Sequence, residues 1–145
     1  MAMKSSTLLC VDDDSGIREL YELLLTSFGY EVLLAEDGRS ALELFHSKGS
    51  KISAVILDYQ MPEMNGLELA AELKSCRPNL PIVMISGSNP GLEKKPGCVD
   101  AALPKGVDTE KLVAKLESLL VNAGKDRRNE LHLKPALTDT AAVPS

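Results

Sequence analysis

The chain has 145 residues, 44% of them hydrophobic and 26% charged, a balance that suits one globular domain around a single core and calls for no second. A net charge of -5 and a pI near 5.1 disfavour nucleic acid, whose counterion-releasing recognition needs clustered Lys and Arg, and turn attention to proteins or cations as partners. Cys10, Cys76 and Cys98 are odd in number, far apart and without C-x-x-C pairing, which argues against a disulfide framework and a zinc site and makes a reducing cytoplasm the expected compartment; neither a signal peptide nor a membrane span is expected.

In chain order, Thr7 to Val11 reads as a first strand. A helix follows, with Asp14 before Ser15 as its N-cap, Ile17, Leu20, Tyr21, Leu24 and Phe28 on one stripe, and Gly29 as its end. Glu31 to Ala35 is a second strand; Asp37 caps a second helix that carries Ala41, Leu44 and Phe45 and closes at Gly49. Ile52 to Asp58 is the third strand, Leu67 to Cys76 the third helix, and Pro81 to Ser86 the fourth strand, entered through a proline. Between Ser86 and Val99 stand Pro90, Pro96, Gly87, Gly91 and Gly97, so the fourth helix is expected to be short, frayed or missing. Val99 to Leu103 and then Asp108 to Val121 form the last strand and helix. Residues 1–121 make the folded domain, and the polar stretch 122–145 reads as a disordered tail. Strand followed by helix throughout implies a doubly wound α/β fold, a parallel sheet with right-handed crossovers and helices on both faces.

Two of the strands end in carboxylates. The run Ala54-Val55-Ile56-Leu57 delivers Asp58 ahead of a loop with Pro62 and Gly66, and Leu8-Leu9-Cys10-Val11 delivers Asp12, Asp13 and Asp14. An open α/β sheet places its ligand crevice outside the carboxyl ends of its strands, so these charges read as a site. Taken with Arg18, with Met61-Pro62-x-Met64-x-Gly66, with the Ser86-Gly87 step and with Leu103-Pro104-Lys105, they make residues 7–121 resemble the receiver domain of bacterial two-component response regulators.

The resemblance implies a five-stranded sheet of flavodoxin-like order 2-1-3-4-5. It implies that Asp58 takes a phosphoryl group from a phosphohistidine on a sensor histidine kinase or histidine phosphotransfer protein, and so changes which downstream protein the chain binds. Asp12, Asp13, Asp58 and the backbone carbonyl of Gln60 are the oxygen donors expected to hold Mg²⁺, whose charge with that of Lys105 cancels the three carboxylates. Lys105 and the hydroxyl of Ser86 would then meet the transferring oxygens.

Plainer readings stand beside these. Asp14 is a cap rather than a ligand, His46 and His132 lack metal-ligand spacing, and Pro62 and Gly66 read as turn formers that carry no reaction. Two positions depart from the family pattern. Ala102 stands where receivers commonly carry a switching aromatic, and Gly106 follows Lys105 where a cis proline is usual, which points to a trans linkage or an altered loop. Ala102 and the broken fourth helix keep open a degenerate receiver that binds a partner constitutively. A Mg²⁺-dependent phosphohydrolase ranks lowest, because Gln60 stands where a second Asp would be needed.

Overall fold

The computed structural model describes residues 6–87 and 97–124. The expected weak fourth helix at 88–96 and nearly all of the expected tail lie outside the described residues.

Strands β1 (Thr7–Val11), β2 (Glu31–Ala35), β3 (Ile52–Asp58), β4 (Ile82–Ser86) and β5 (Ala101–Pro104) form one parallel sheet in the order β2-β1-β3-β4-β5. Helices α1 (Ser15–Ser27), α2 (Gly38–Lys48) and α3 (Gly66–Cys76) are joined by a fourth, α4, over 109–124. The strand sequences are continuous apolar runs because both faces are covered, and alternation sorts each run between two cores. Leu9, Val11, Val55, Leu57, Ile82 and Met84 face α2 and α3 through Ala41, Phe45, Leu69 and Leu73. On the other face Leu8, Cys10, Ala54, Ile56, Val83 and Ile85 meet Leu25 of α1 and Leu112, Val113 and Leu116 of α4. No helix among the described residues is long and apolar enough to cross a membrane.

The helix ends follow local chemistry. Asp14 accepts from the amides of Gly16 and Ile17, and Asp37 from that of Ser40, so both expected caps are in place. Gly29 takes φ 98°, the left-handed conformation that lets α1 stop and turn into β2. The apolar stripe of α1 sits differently from the expected one. Leu25 is its only fully buried residue, while Leu20 is 48% and Phe28 47% exposed, because the run Leu23-Leu24-Leu25 offers several equally apolar faces and packing selects one.

The last strand also begins later than its apolar pattern, at Ala101 rather than Val99. At the entry to β5 the Asp100 carboxylate accepts from the Ile82 amide at 2.8 Å and pairs with Lys74 Nζ at 2.8 Å, while its own amide donates to Ile82 O at 2.8 Å, so a side-chain clamp and a backbone bond together tie α3, β4 and the start of β5. Asp100→Ala leaves the Ile82 amide and the half-buried ammonium without this acceptor. It is expected to lower stability by about 1–3 kcal/mol in denaturant titration; an unchanged midpoint would deny the clamp any role. Pro104 is tolerated at the other end because β5 is an edge strand. The last helix runs three residues past the expected Val121, through 124.

Candidate functional site

The carboxyl ends of β1, β3, β4 and β5 converge. Asp12 continues the line of β1, its amide donating to Ala35 O at 3.1 Å. Its carboxylate accepts from the Asp14 amide at 2.9 Å, and its backbone carbonyl accepts from Arg18 Nη1 at 2.7 Å. Arg18 therefore fixes the backbone beneath the acidic pair. Asp58, the last residue of β3, is opposite Ile85 of β4 and only 3% exposed. Its Oδ1 accepts from the Gln60 amide at 3.3 Å and lies 3.6 Å from Lys105 Nζ.

One carboxylate oxygen from each of Asp12, Asp13 and Asp58 falls within 4.8 Å of the others. Asp12 and Asp58 are buried and Asp13 is exposed, so two donors are fixed by the fold and one reaches in from the surface. An all-oxygen set of this kind suits a hard divalent cation such as Mg²⁺, which these three carboxylates would hold. Burial is the main reason that the carboxyls of Asp12 and Asp58 are raised above their ordinary value; Lys105 opposes this at both, and the neighbouring Asp13 carboxylate reinforces it. The acidic cluster thus keeps a net cost, only partly offset by Lys105 and by the amides of Asp14 and Gln60, that a cation would relieve.

Ser86 ends β4 half-buried, and its backbone carbonyl accepts from the Lys105 amide at 2.9 Å, which sets the two expected phosphate-facing residues side by side. Lys105 is 47% exposed along its side chain, so it reaches the buried carboxylate from the rim. Gly106 takes φ 85°. A proline ring cannot adopt that angle, so the loop after Lys105 turns by a glycine device in place of a proline one, and no described peptide bond is cis. Ala102 lies partly buried against the α2–α3 core.

An open hollow of about 510 Å³ beside the cluster is bounded by Asp13, Tyr59, Gln60, Met61, Pro62 and Asn65. Its floor is the loop after Asp58. There Glu63 takes φ 70° and the Met64 amide donates to Pro62 O at 2.7 Å, a tight three-residue turn. Asn65 then caps α3 reciprocally with Glu68. The Asn-x-x-Glu spacing carries that signal in the sequence, but sequence reasoning passed over it. Gly66 is not a turn former: it is the first residue of α3, outside the positive-φ region, and its requirement is one of space.

Cys10 is wholly buried, and its thiol is pushed up to about 12 by burial and by Asp12 and Glu22, which leaves it unreactive.

A model of the response regulator receiver domain matches residues 8–117. Response regulator MprA of Mycolicibacterium vanbaalenii is 39% identical over 116 residues, 78% of this chain and 49% of that protein. The homologous MprA of Mycobacterium ulcerans is 37% identical over 119 residues, covering 80% of this chain and 50% of the relative. The chain spans about half the length of these curated relatives. Among solved structures, response regulator TrrA of Thermotoga maritima, in complex with Mg²⁺-BeF, is 31% identical with a TM-score of 0.72 over 79% of this chain and 98% of that one. A CheY-like receiver domain protein of Methanospirillum hungatei is 26% identical with a TM-score of 0.78, over 85% and 99%.

Proposed function

This chain belongs to the response regulator receiver family, and on that premise we propose that it accepts a phosphoryl group on Asp58 from a histidine kinase or histidine phosphotransfer protein. The observation that carries the proposal is one buried carboxylate, Asp58, met by Lys105 Nζ at 3.6 Å and by two further carboxylates within 4.8 Å. In this reading Asp58 Oδ attacks phosphorus, the bond from phosphorus to the histidine nitrogen breaks, and the electron pair returns to the imidazole. Lys105, a compact cation at the rim, faces the oxygens over which charge spreads in a loose transition state, and the Ser86 hydroxyl donates to one of them. Asp12, Asp13, Asp58 and the Gln60 carbonyl are the donors for Mg²⁺, which when bound neutralises charge between the acidic cluster and the phosphoryl group.

The product is a shifted population of conformations that alters binding to a downstream protein, in the cytoplasm, so the chain acts as a switch and not as a turnover catalyst. Incubation with acetyl phosphate and Mg²⁺ followed by intact mass tests the proposal. Gain of one phosphoryl mass supports it. A folded protein that gains none would favour the constitutive adaptor, the reading that Ala102 and the expected break in the fourth helix motivate.

Lys105 supplies a separate prediction. Its amide is tied to Ser86 and its ammonium to Asp58, so it links β4, β5 and the acceptor. Lys105→Ala is expected to retain some phosphorylation but to lose most of the difference in amide exchange between the free and phosphorylated forms. A variant that switches as fully as the wild type would remove Lys105 from the coupling.

A further inference from the structure

We infer that Gly66 is a positioning residue for phosphoryl transfer: the lack of a side chain at the start of α3 sets where the backbone of Asp58 lies, and through it where the acceptor carboxylate meets Lys105 and the acidic pair. The inference rests on the phosphoacceptor reading and deepens it.

A Cβ built on Gly66 would stand 2.6 Å from the backbone oxygen of Asp58, 2.8 Å from Met84 Sδ and 3.0 Å from Tyr59 Cα. Ordinary contact begins near 3.4 Å, so something must yield by most of an ångström. Two of the three neighbours are backbone atoms of the acceptor strand's end, which no change of rotamer relieves. The helix side is firmly held. Asn65 and Glu68 cap it reciprocally, and Leu69, Ala70 and Leu73 are wholly buried in the core beneath. The Gly66 amide also donates to Tyr59 O at 2.7 Å, so the helix start and the acceptor loop move together.

The acceptor backbone is tied as well, the Tyr59 amide donating to Ile85 O at 2.9 Å, so the contacts with room to lengthen are those of the Asp58 side chain. Asp58 Oδ1 holds the Gln60 amide at 3.3 Å and Lys105 Nζ at 3.6 Å, the longest contacts in this chain of connections. A methyl group at Gly66 therefore displaces the Asp58-Tyr59-Gln60 backbone, and with it both the nucleophile and the Gln60 carbonyl. Misplacement of reacting groups by about 1 Å costs on the order of a hundredfold in rate.

Gly38 is the internal control. It is buried too and opens α2, but the three atoms nearest to a Cβ there all belong to the Met64 side chain, with Sδ at 2.7 Å and Cβ at 3.3 Å, and the flexible end of that chain can swing away.

The test compares wild type, Gly66→Ala and Gly38→Ala as full chains, with acetyl phosphate as donor and initial rate followed against Mg²⁺ concentration, each fold being checked by its melting curve. Gly66→Ala is expected to melt cooperatively, to lose about tenfold or more in maximal rate at saturating Mg²⁺ and donor, and to need more Mg²⁺ for half-maximal rate. Gly38→Ala is expected to shift only the melting temperature. Wild-type rate and Mg²⁺ dependence in folded Gly66→Ala overturn the inference alone, whereas a wild-type protein that gains no phosphoryl group overturns the function on which it rests. If Gly66→Ala does not fold, Met84→Val is added to remove the sulfur contact while leaving both backbone contacts. A folded double variant slower than Met84→Val alone supports the inference; equal rates, or failure of the double variant to fold, make Gly66 a packing residue and overturn it.

Discussion

Asp58→Asn is expected to abolish phosphorylation by acetyl phosphate and, without Mg²⁺, to raise the melting temperature. The two effects share one cause. An amide nitrogen has its lone pair delocalised and is no nucleophile, while the amide oxygen still accepts from Gln60, so the loop keeps its shape as the chemistry disappears. Asp58 is 3% exposed, and burial raises its carboxyl above the ordinary value, so the ionised form is the destabilised one in the folded state. A neutral side chain of the same size removes that cost. Lys105 loses its partner, but its side chain is 47% exposed and water replaces the contact. Intact mass after incubation decides the first part: one phosphoryl group in the same yield as wild type would place the acceptor elsewhere. A lower melting temperature would mean that Asp58 contributes more through Lys105 than its burial takes away.

The parts of this fold legible in the sequence are those governed by neighbours along the chain. Strand runs such as Ala54-Val55-Ile56-Leu57 reveal themselves because a strand covered on both faces admits almost nothing polar. Asp14 and Asp37 announce two helix starts because an N-cap needs only the amides two or three residues on. Contacts set by packing between distant segments were less visible. The Asp100 clamp on Lys74 and Ile82 joins residues 26 and 18 positions apart, and no local pattern separates Asp100 from a surface acid. Gly66 beside Pro62 reads as turn chemistry, and only the closeness of Asp58 and Met84 reveals a demand for space. The site itself is intermediate. Asp12, Asp13 and Asp58 are marked by standing at strand ends, whereas the nearness of Lys105 to Asp58 depends on the strand order, which a family resemblance supplied and periodicity could not.

Mg²⁺ is expected to stabilise the wild-type fold near neutral pH, and Asp13→Ala to lose much of that gain. Asp12 and Asp58 have carboxyls raised above 3.8, chiefly by burial. As pH climbs past 3.8 the unfolded chain releases these protons before the folded one does, so each group's contribution to stability falls across the window up to its folded value and stays low above it. Asp37 runs the other way: its hydrogen bond from the Ser40 amide lowers it, and the stability it contributes is present above 3.8 and fades as pH falls through its folded value. The difference between wild type and Asp58→Asn cancels Asp37. Without the cation that difference should vanish in acid and widen in favour of the variant as pH rises. A cation held by all three carboxylates reverses the order, adding about 2.7 kcal/mol to the wild type at a hundredfold excess over its dissociation constant. The gain should fade in acid, because protons compete for the same oxygens. Asp13 is exposed, so its removal spares the metal-free fold while taking one charged donor from the set. A loss on the order of tenfold in Mg²⁺ affinity would cut the stabilisation by about 1.4 kcal/mol. Melting curves with and without Mg²⁺ across the acid range read every part of this, and Mg²⁺ stabilisation of Asp13→Ala equal to that of wild type would take Asp13 out of the site.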